Sequence, residues 1–287
     1  MLKRFLAALV TAALLTQPAY AADSPDVLVA HRGFAEDAQV KYGVPENSIP
    51  AWDKAIHLAQ RDFIVDLDAQ YAADGMIVMH DDDIKRTTNR SGLVKNLTLA
   101  YIKGAFLELP VDRDGNGNDD NTIWHPPSVN QALDFLKGQS VNGVPVKICI
   151  ELKGSNWSLA KVTRLKDTLL SKGLFTSRVN VHSFTTTYAK YAHDLGFPDV
   201  GYVAPSAGPL PSVSTVKAIG NNVLVKYTLM TTPKLNEYTN AGIKVWIWTL
   251  DDEQQMEKVW NLGKAYAWMA NDLVRAQDFL AEKEATA

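Results

Sequence analysis

The sequence predicts an α/β fold, a (β/α)8 TIM barrel with a β-hairpin excursion after its second strand and an inserted polar loop near residues 105–125. Strand-like apolar runs begin near Val179, Val200, Asn222, Lys244 and Ala265, at separations of 21, 22, 22 and 21 residues, and each gap holds one amphipathic helical stretch. The runs do not alternate, as expected of strands covered on both faces, and this indicates a parallel sheet with helices outside. Four earlier runs begin near Val27, Phe63, Met76 and Pro145. The run at Met76 follows the turn Ala72-Ala73-Asp74-Gly75, which is too short for a parallel crossover, so it returns antiparallel and drops out of the count. Eight parallel strands remain. An open doubly wound sheet would want a GxGxxG turn after the first strand, and none follows it.

The chain opens on Lys3-Arg4, an apolar run from Phe5 to Leu15, a break at Pro18 and the small-x-small site Ala19-Tyr20-Ala21. These are the parts of a signal peptide over residues 1–21, with residues 22–287 as one barrel domain and a secreted or periplasmic destination. The run is too short for a stable membrane anchor. The formal charge is −3, and loss of Lys3 and Arg4 makes it −5. This balance recruits no nucleic acid. The single cysteine, Cys149, lies in an apolar run and has no partner for an intramolecular disulfide, so stability rests on the core.

Val27 to Ala30 is the first strand and stops at His31-Arg32-Gly33. Ser48 is placed to cap a helix with Pro50 in its first turn and Ile49, Trp52, Ile56 and Ala59 on one face. Phe63 to Gln70 is the second strand, and the hairpin returns through His80. The stretch from Leu93 to Pro127 is the least regular. Ser128 caps a helix with Val129, Ala132, Leu133 and Leu136 inward, ended at Gly138, and Val144 to Ile150 reads as an apolar strand ending at Glu151-Leu152-Lys153. A helix follows from Asn156 to Leu170. In the periodic half, Gly196, Gly220, Gly242 and Gly263 recur near helix ends, and Thr232-Pro233 opens a helix.

Residues two apart on a strand share a face, so Asp66 and Asp68 present two hard oxygen ligands side by side, as a divalent cation prefers. Active sites of such barrels lie at the carboxyl ends of the strands. This brings His31, Arg32, Asp66, Asp68, Glu151 and Lys153 to one mouth, with His80 folded over it. The set suits displacement at phosphorus. An ion on Asp66, Asp68 and Glu151 neutralises phosphate oxygens, and Arg32 and Lys153 bind the remaining ones. One of His31 and His80 removes a proton from the attacking group while the other protonates the leaving alkoxide.

In order along the chain stand His31-Arg32-Gly33, Pro45-Glu46-Asn47-Ser48, Asp66-Leu67-Asp68, Asp74-Gly75, His80-Asp81, Arg86-Thr87-Thr88, Glu151-Leu152-Lys153, Ser183-Phe184 and Trp248-Thr249. In these the sequence resembles the glycerophosphodiester phosphodiesterases. The resemblance implies a barrel of the same kind, one divalent cation (Ca²⁺ or Mg²⁺), and hydrolysis of glycerophosphodiesters to glycerol 3-phosphate and an alcohol. It further implies His31 and His80 as the acid/base pair, Asp66, Asp68 and Glu151 as metal ligands, and Glu46 in support. Asp66 stands where the family usually has Glu, one methylene longer, so the ion is expected to sit deeper or to bind through water. The step from Gly75 to His80 is one residue short, which in a regular strand turns His80 to the other face. Asn271-Asp272 replaces the usual Thr-Asp.

Two rivals share these residues. One is a phospholipase D type enzyme acting on lysophospholipid or sphingomyelin, which an apolar ridge at the mouth would favour; the other is a non-catalytic phosphodiester-binding protein. The partner in every case is a small-molecule phosphodiester, and oligomeric state is not legible. Asp112, Asp114, Asn116, Gly117 and Asp120 follow the start of a calcium loop and suggest a second, structural Ca²⁺ at residues 112–120, although Ile123 stands where an EF-hand wants Glu. His182 is expected to be structural, His57 and His193 to lie on outer helices, Trp246 to pack in the core and Trp248 to pack there or to wall the substrate.

Overall fold

The computed structural model describes residues 24–109 and 124–286. The expected leader at residues 1–21 and the calcium-loop pattern at 112–120 lie outside the described residues. The elements, in chain order, are β1 (Val27–Ala30), α1 (Asp37–Tyr42), α2 (Ile49–Leu58), β2 (Phe63–Tyr71), β3 (Met76–Val78), α3 (Leu99–Lys103), α4 (Val129–Leu136), β4 (Ser140–Val141), β5 (Val144–Pro145) and β6 (Lys147–Leu152). They continue with α5 (Leu159–Ser171), β7 (Val179–Ser183), α6 (Thr186–Asp194), β8 (Val200–Val203), α7 (Val213–Lys217), β9 (Asn222–Lys226), α8 (Thr232–Asn240), β10 (Lys244–Leu250), α9 (Glu253–Trp260), β11 (Ala267–Ala270) and α10 (Leu273–Thr286).

The parallel strands run β1-β2-β6-β7-β8-β9-β10-β11, and β11 pairs with β1 from Val27 opposite Ala267 to Ala30 opposite Ala270, so the sheet closes. Alternation along each strand separates two cores. Val27, Val29, Ile64, Cys149, Leu224, Trp246 and Met269 pack together inside the barrel, while Leu28, Val65, Leu67, Ile148, Ile150 and Val245 face the helices. Each fully buried aliphatic side chain contributes about 1.5–3 kcal/mol, which is how a chain with one free, buried cysteine holds without cross-links.

The hairpin is as the short turn requires: β3 runs antiparallel to β2 with Ala69 opposite Val78 and Tyr71 opposite Met76. The Ser48 hydroxyl caps α2 by accepting from Ala51 N at 3.2 Å, and Trp52 on that helix donates to the Asp66 carbonyl. Ser128 and Gln131 form a capping box on α4, with Val129, Ala132, Leu133 and Leu136 buried.

Three expectations shift. Val144 does not open the third barrel strand, which starts at Lys147; it is 40% exposed and pairs with Val141 in a small hairpin. Asn142 and Gly143, at φ 51° and 80°, make the tight turn, an Asn-Gly signal that outweighs the apolar run beside it. The loop after β1 holds the short helix α1, ended by Gly43 at φ 65°. Gly196, Gly242 and Gly263 do terminate helices at positive φ, whereas Gly220 serves a close approach: a Cβ there would come within 2.3 Å of the Val200 carbonyl oxygen.

Because that obstacle is backbone on β8, Gly220→Ala must push β9 from its neighbour. It should lower unfolding stability by about 1–3 kcal/mol, read as a lower urea midpoint at unchanged slope.

Candidate active site

At the carboxyl end of the barrel β1, β2, β6 and β7 deliver polar residues to one mouth. Register aligns Asp66 with Cys149, Asp68 with Glu151 and Glu151 with His182. A cavity of about 210 Å³ opens there, lined by His31, Arg32, His80, Glu151, Lys153 and His182 on its polar side and by Phe184, Val203, Leu224, Trp248 and Met269 on its apolar side. A wider charged groove of about 700 Å³ leads away from His31 and Arg32 past Glu36, Lys41, Asp251 and Arg275.

His31 continues β1 by donating its N–H to the Ala270 carbonyl at 3.0 Å. Its Nδ1 is 2.5 Å from Asn271 Oδ1, so Nδ1 carries the proton and Nε2 is left as the basic atom. Burial, with Arg32 adding to it, holds His31 well below the ordinary imidazole value of 6.5, and its ring is neutral at neutral pH. The next residue, Arg32, adopts φ 55°, a left-handed conformation costly for a side chain and common at functional sites. That turn lets its N–H donate to Asp66 Oδ2 at 3.1 Å while its guanidinium donates to Glu46 Oε1 at 3.2 Å and stands 3.4 Å from Asp68 Oδ2. Gly33 follows at φ 81°, where a Cβ would meet Ala51 Cβ at 2.8 Å.

Asp66 and Asp68 are each 1% exposed. Burial raises Asp66 well above the carboxylate range, and Asp68 and Glu151 add their repulsion. Asp68 goes the other way: burial opposes its charge, yet Lys153, His80 and Arg32 overcome it and hold the carboxyl well below that range. Glu151 is likewise lowered, its burial outweighed by Lys153 at 2.8 Å and by His182. Lys153 itself is raised, since Asp68 and Glu151 outweigh its burial. Oδ1 of Asp66 and Oδ1 of Asp68 are buried with no hydrogen-bond partner. Unanswered oxygens on crowded carboxylates are what a hard cation satisfies, so Asp66, Asp68 and Glu151 fit a divalent ion.

His80 reaches the mouth despite the short step from Gly75. The reason is that β3 stops at Val78, and Gln70 Nε2 then gathers the carbonyls of Met79, His80 and Asp81 at 3.1, 3.0 and 2.6 Å. The backbone leaves strand geometry before His80, and the parity argument lapses. His80 Nδ1 is 2.5 Å from Asp81 Oδ1. That hydrogen bond, helped by Arg86 against partial burial, keeps Asp81 ionised. Arg86 also donates to both oxygens of Glu46 at 2.6 and 3.1 Å, and Glu46 holds Arg32. Glu46 therefore ties the two histidine-bearing loops together.

Sequence reasoning passed over Asn47, Asn271, Asp81, Arg86 and Gln70 as working parts. Asn47 Nδ2 donates to Asp68 Oδ2 at 2.8 Å and its Oδ1 accepts from Asp68 N at 3.0 Å. Its place beside Glu46 was the one available signal. His182, expected to be structural, is fully buried yet lines the cavity 3.6 Å from Glu151. Side-chain exposures of 72% and 47% put His57 and His193 in solvent; Trp246 is core and Trp248 walls the cavity.

A closed (β/α)8 barrel whose mouth gathers buried carboxylates, two cations and paired imidazoles belongs to the class of phosphoryl-transfer hydrolases. Residues 31–266 match the model of the glycerophosphoryl diester phosphodiesterase family, and the chain belongs to that family. The Bacillus subtilis (strain 168) protein YhdW is 25% identical over 243 residues, covering 82% of this chain and 90% of its own length. Among solved structures, one from Silicibacter pomeroyi DSS-3 superposes with a TM-score of 0.74 at 18% identity over 91% of this chain and 94% of its own. An Oleispira antarctica phosphodiesterase, solved in complex with its product sn-glycerol-3-phosphate, gives a TM-score of 0.72 at 20% identity over 89% and 96%.

Two outcomes follow from this geometry. Asn47→Ala strips Asp68 of two buried hydrogen bonds and should cost about 2–4 kcal/mol, with part of the loss from a left-handed φ that alanine tolerates poorly, measured by chemical denaturation. Asp66, raised in the fold, favours the metal-free chain at low pH, and this contribution is lost as pH rises through its raised value. Mg²⁺ or Ca²⁺ should therefore raise Tm more at about pH 8 than at about pH 5, in paired thermal scans.

Proposed function

We propose that this chain is an exported, metal-dependent phosphodiesterase that hydrolyses glycerophosphodiesters to glycerol 3-phosphate and an alcohol, with His31 and His80 dividing the proton transfers. The observation that supports this most directly is the convergence of both histidines with Arg32, Glu151 and Lys153 on one cavity of about 210 Å³, with Asp68 buried against Arg32 and Lys153 and Asp66 held by the Arg32 backbone. Export rests on the leader-like residues 1–21.

Ca²⁺ or Mg²⁺ suits the all-oxygen set Asp66, Asp68 and Glu151, and when bound it would neutralise phosphate charge. Lys153, with Arg32 held beside it, supplies fixed positive charge for the remaining phosphate oxygens. His31, kept neutral by burial and oriented through Nδ1 by Asn271, takes the proton of the attacking oxygen on Nε2. His80, backed by the ionised Asp81, gives its Nε2 proton to the leaving alkoxide. The wide groove beyond His31 leaves room for alcohols of different size.

The apolar wall supports a second reading. Phe184, 40% exposed, stands edge-on to Trp248 with ring centroids 5.5 Å apart, a surface that would favour a lysophospholipid chain and phospholipase D type cleavage.

Purified protein without residues 1–21 should release glycerol 3-phosphate from glycerophosphocholine with Ca²⁺ or Mg²⁺ and not with chelator, and His31→Ala and His80→Ala should each lose about 10²–10⁴-fold in kcat. The acid limb of kcat/KM should fall below pH 6.5, where lowered His31 takes up its proton. Turnover of lysophosphatidylcholine alone would move the assignment to the second reading. Silence on both substrates with every metal would sink the reading altogether.

A further inference from the structure

Directly beneath the Asp68–Glu151 pair, three side chains outside the proton-transfer machinery point at one another inside the barrel. A carboxylate oxygen of Asp66, the sulfur of Cys149 and a ring nitrogen of His182 lie within 4.8 Å of each other, and all three residues are buried. Cys149 Sγ is 3.0 Å from His182 Nδ1. Strand register imposes this meeting, because Asp66 sits opposite Cys149 on β2 and β6 while His182 sits opposite Glu151 on β6 and β7.

A hydrogen bond between Cys149 and His182 does not by itself account for the cluster. Asp66 Oδ1 is buried with no hydrogen-bond partner on a residue 1% exposed, while the ring of His182 turns Nδ1 to the sulfur and Nε2 to Glu151 Oε2 at 3.6 Å. Asn180 Oδ1 stands 3.1 Å from His182 Nδ1 and 3.5 Å from Cys149 Sγ, so within an otherwise apolar interior the sulfur has two polar neighbours. A thiolate, an imidazole and a carboxylate form a donor set for a borderline ion such as Zn²⁺, whereas Ca²⁺ and Mg²⁺ take oxygen. Ligand distances of about 2.0–2.3 Å put the donors of a tetrahedral zinc roughly 3.4–3.6 Å apart. The sulfur and the ring nitrogen stand 3.0 Å apart, and the carboxylate oxygen lies within 4.8 Å of the other donors.

We propose that Asp66, Cys149 and His182 form a thiolate-bearing site for a borderline divalent ion, Zn²⁺ or Co²⁺, one layer below the mouth. Binding forms a metal–sulfur bond and releases the thiol proton to solvent, with no change of oxidation state. Three protein ligands leave the fourth position of a tetrahedral ion open. The site is independent of the hydrolysis proposed above except that both share Asp66.

The test is spectroscopic and uses the untagged protein after treatment with chelator, titrated with Co²⁺. The expected result is a thiolate-to-cobalt charge-transfer band that saturates near one equivalent, is displaced by Zn²⁺ and persists in excess Ca²⁺. Cys149 is the only cysteine of the chain, so the band identifies its sulfur even if a variant fails to fold. Cys149→Ala should abolish the band, and His182→Ala should weaken Co²⁺ affinity at least tenfold, with circular dichroism reporting the fold. Cobalt bound without the band, no cobalt bound, or unchanged affinity in a folded His182→Ala would each overturn the proposal. Release of glycerol 3-phosphate with Mg²⁺ in the same preparation reports separately on the hydrolytic reading.

Discussion

Three carboxylates buried in one barrel mouth repel each other, and the surrounding chain answers that repulsion. At an effective dielectric near 20, two like charges about 4 Å apart cost about 4 kcal/mol, a large share of the stability of a domain. Arg32 and Lys153 are set among Asp68, Glu151 and Glu46 to offset this. Compensation is uneven, however. Asp68 and Glu151 are held ionised by neighbouring cations, while Asp66 receives a backbone N–H and keeps an unanswered oxygen. The uncompensated repulsion is concentrated at Asp66.

The same constraint explains how the loops are braced against one another. Arg32 is fixed from three directions, by its own left-handed turn, by Glu46 and by Asp68. Glu46 then reaches Arg86, Arg86 reaches Asp81, and Asp81 orients His80. A site built on strand ends and cross-braced in this way holds its groups in place before any substrate arrives, which is the condition for electrostatic catalysis.

The eightfold strand repeat was legible because buried parallel strands leave uninterrupted apolar runs, and His31, Asp66, Asp68, His80, Glu151 and Lys153 were legible because they follow or sit within those runs. What the linear sequence hid is long-range or conformational. Asn271 orients His31 across 240 positions, and no local pattern joins them. Asn47 matters through a positive φ and two bonds to Asp68. The parity objection to His80 failed because Gln70 bends the backbone after Val78, an effect of one side chain on three carbonyls. Val144 misled because hydrophobicity alone does not distinguish an exposed hairpin from a core strand.

The bond between His31 and Asn271 also bears on the order in which the chain becomes competent. His31 is made 240 positions ahead of Asn271, so its ring has no fixed tautomer until β11 has been made and has docked between β10 and β1. Closure of the barrel and orientation of its first histidine are one event, and it is the most non-local contact in the site. A nascent chain short of residue 271 carries every carboxylate and both histidines without a working arrangement of them. The orientation of His31 is thereby deferred until the last barrel strand is in place.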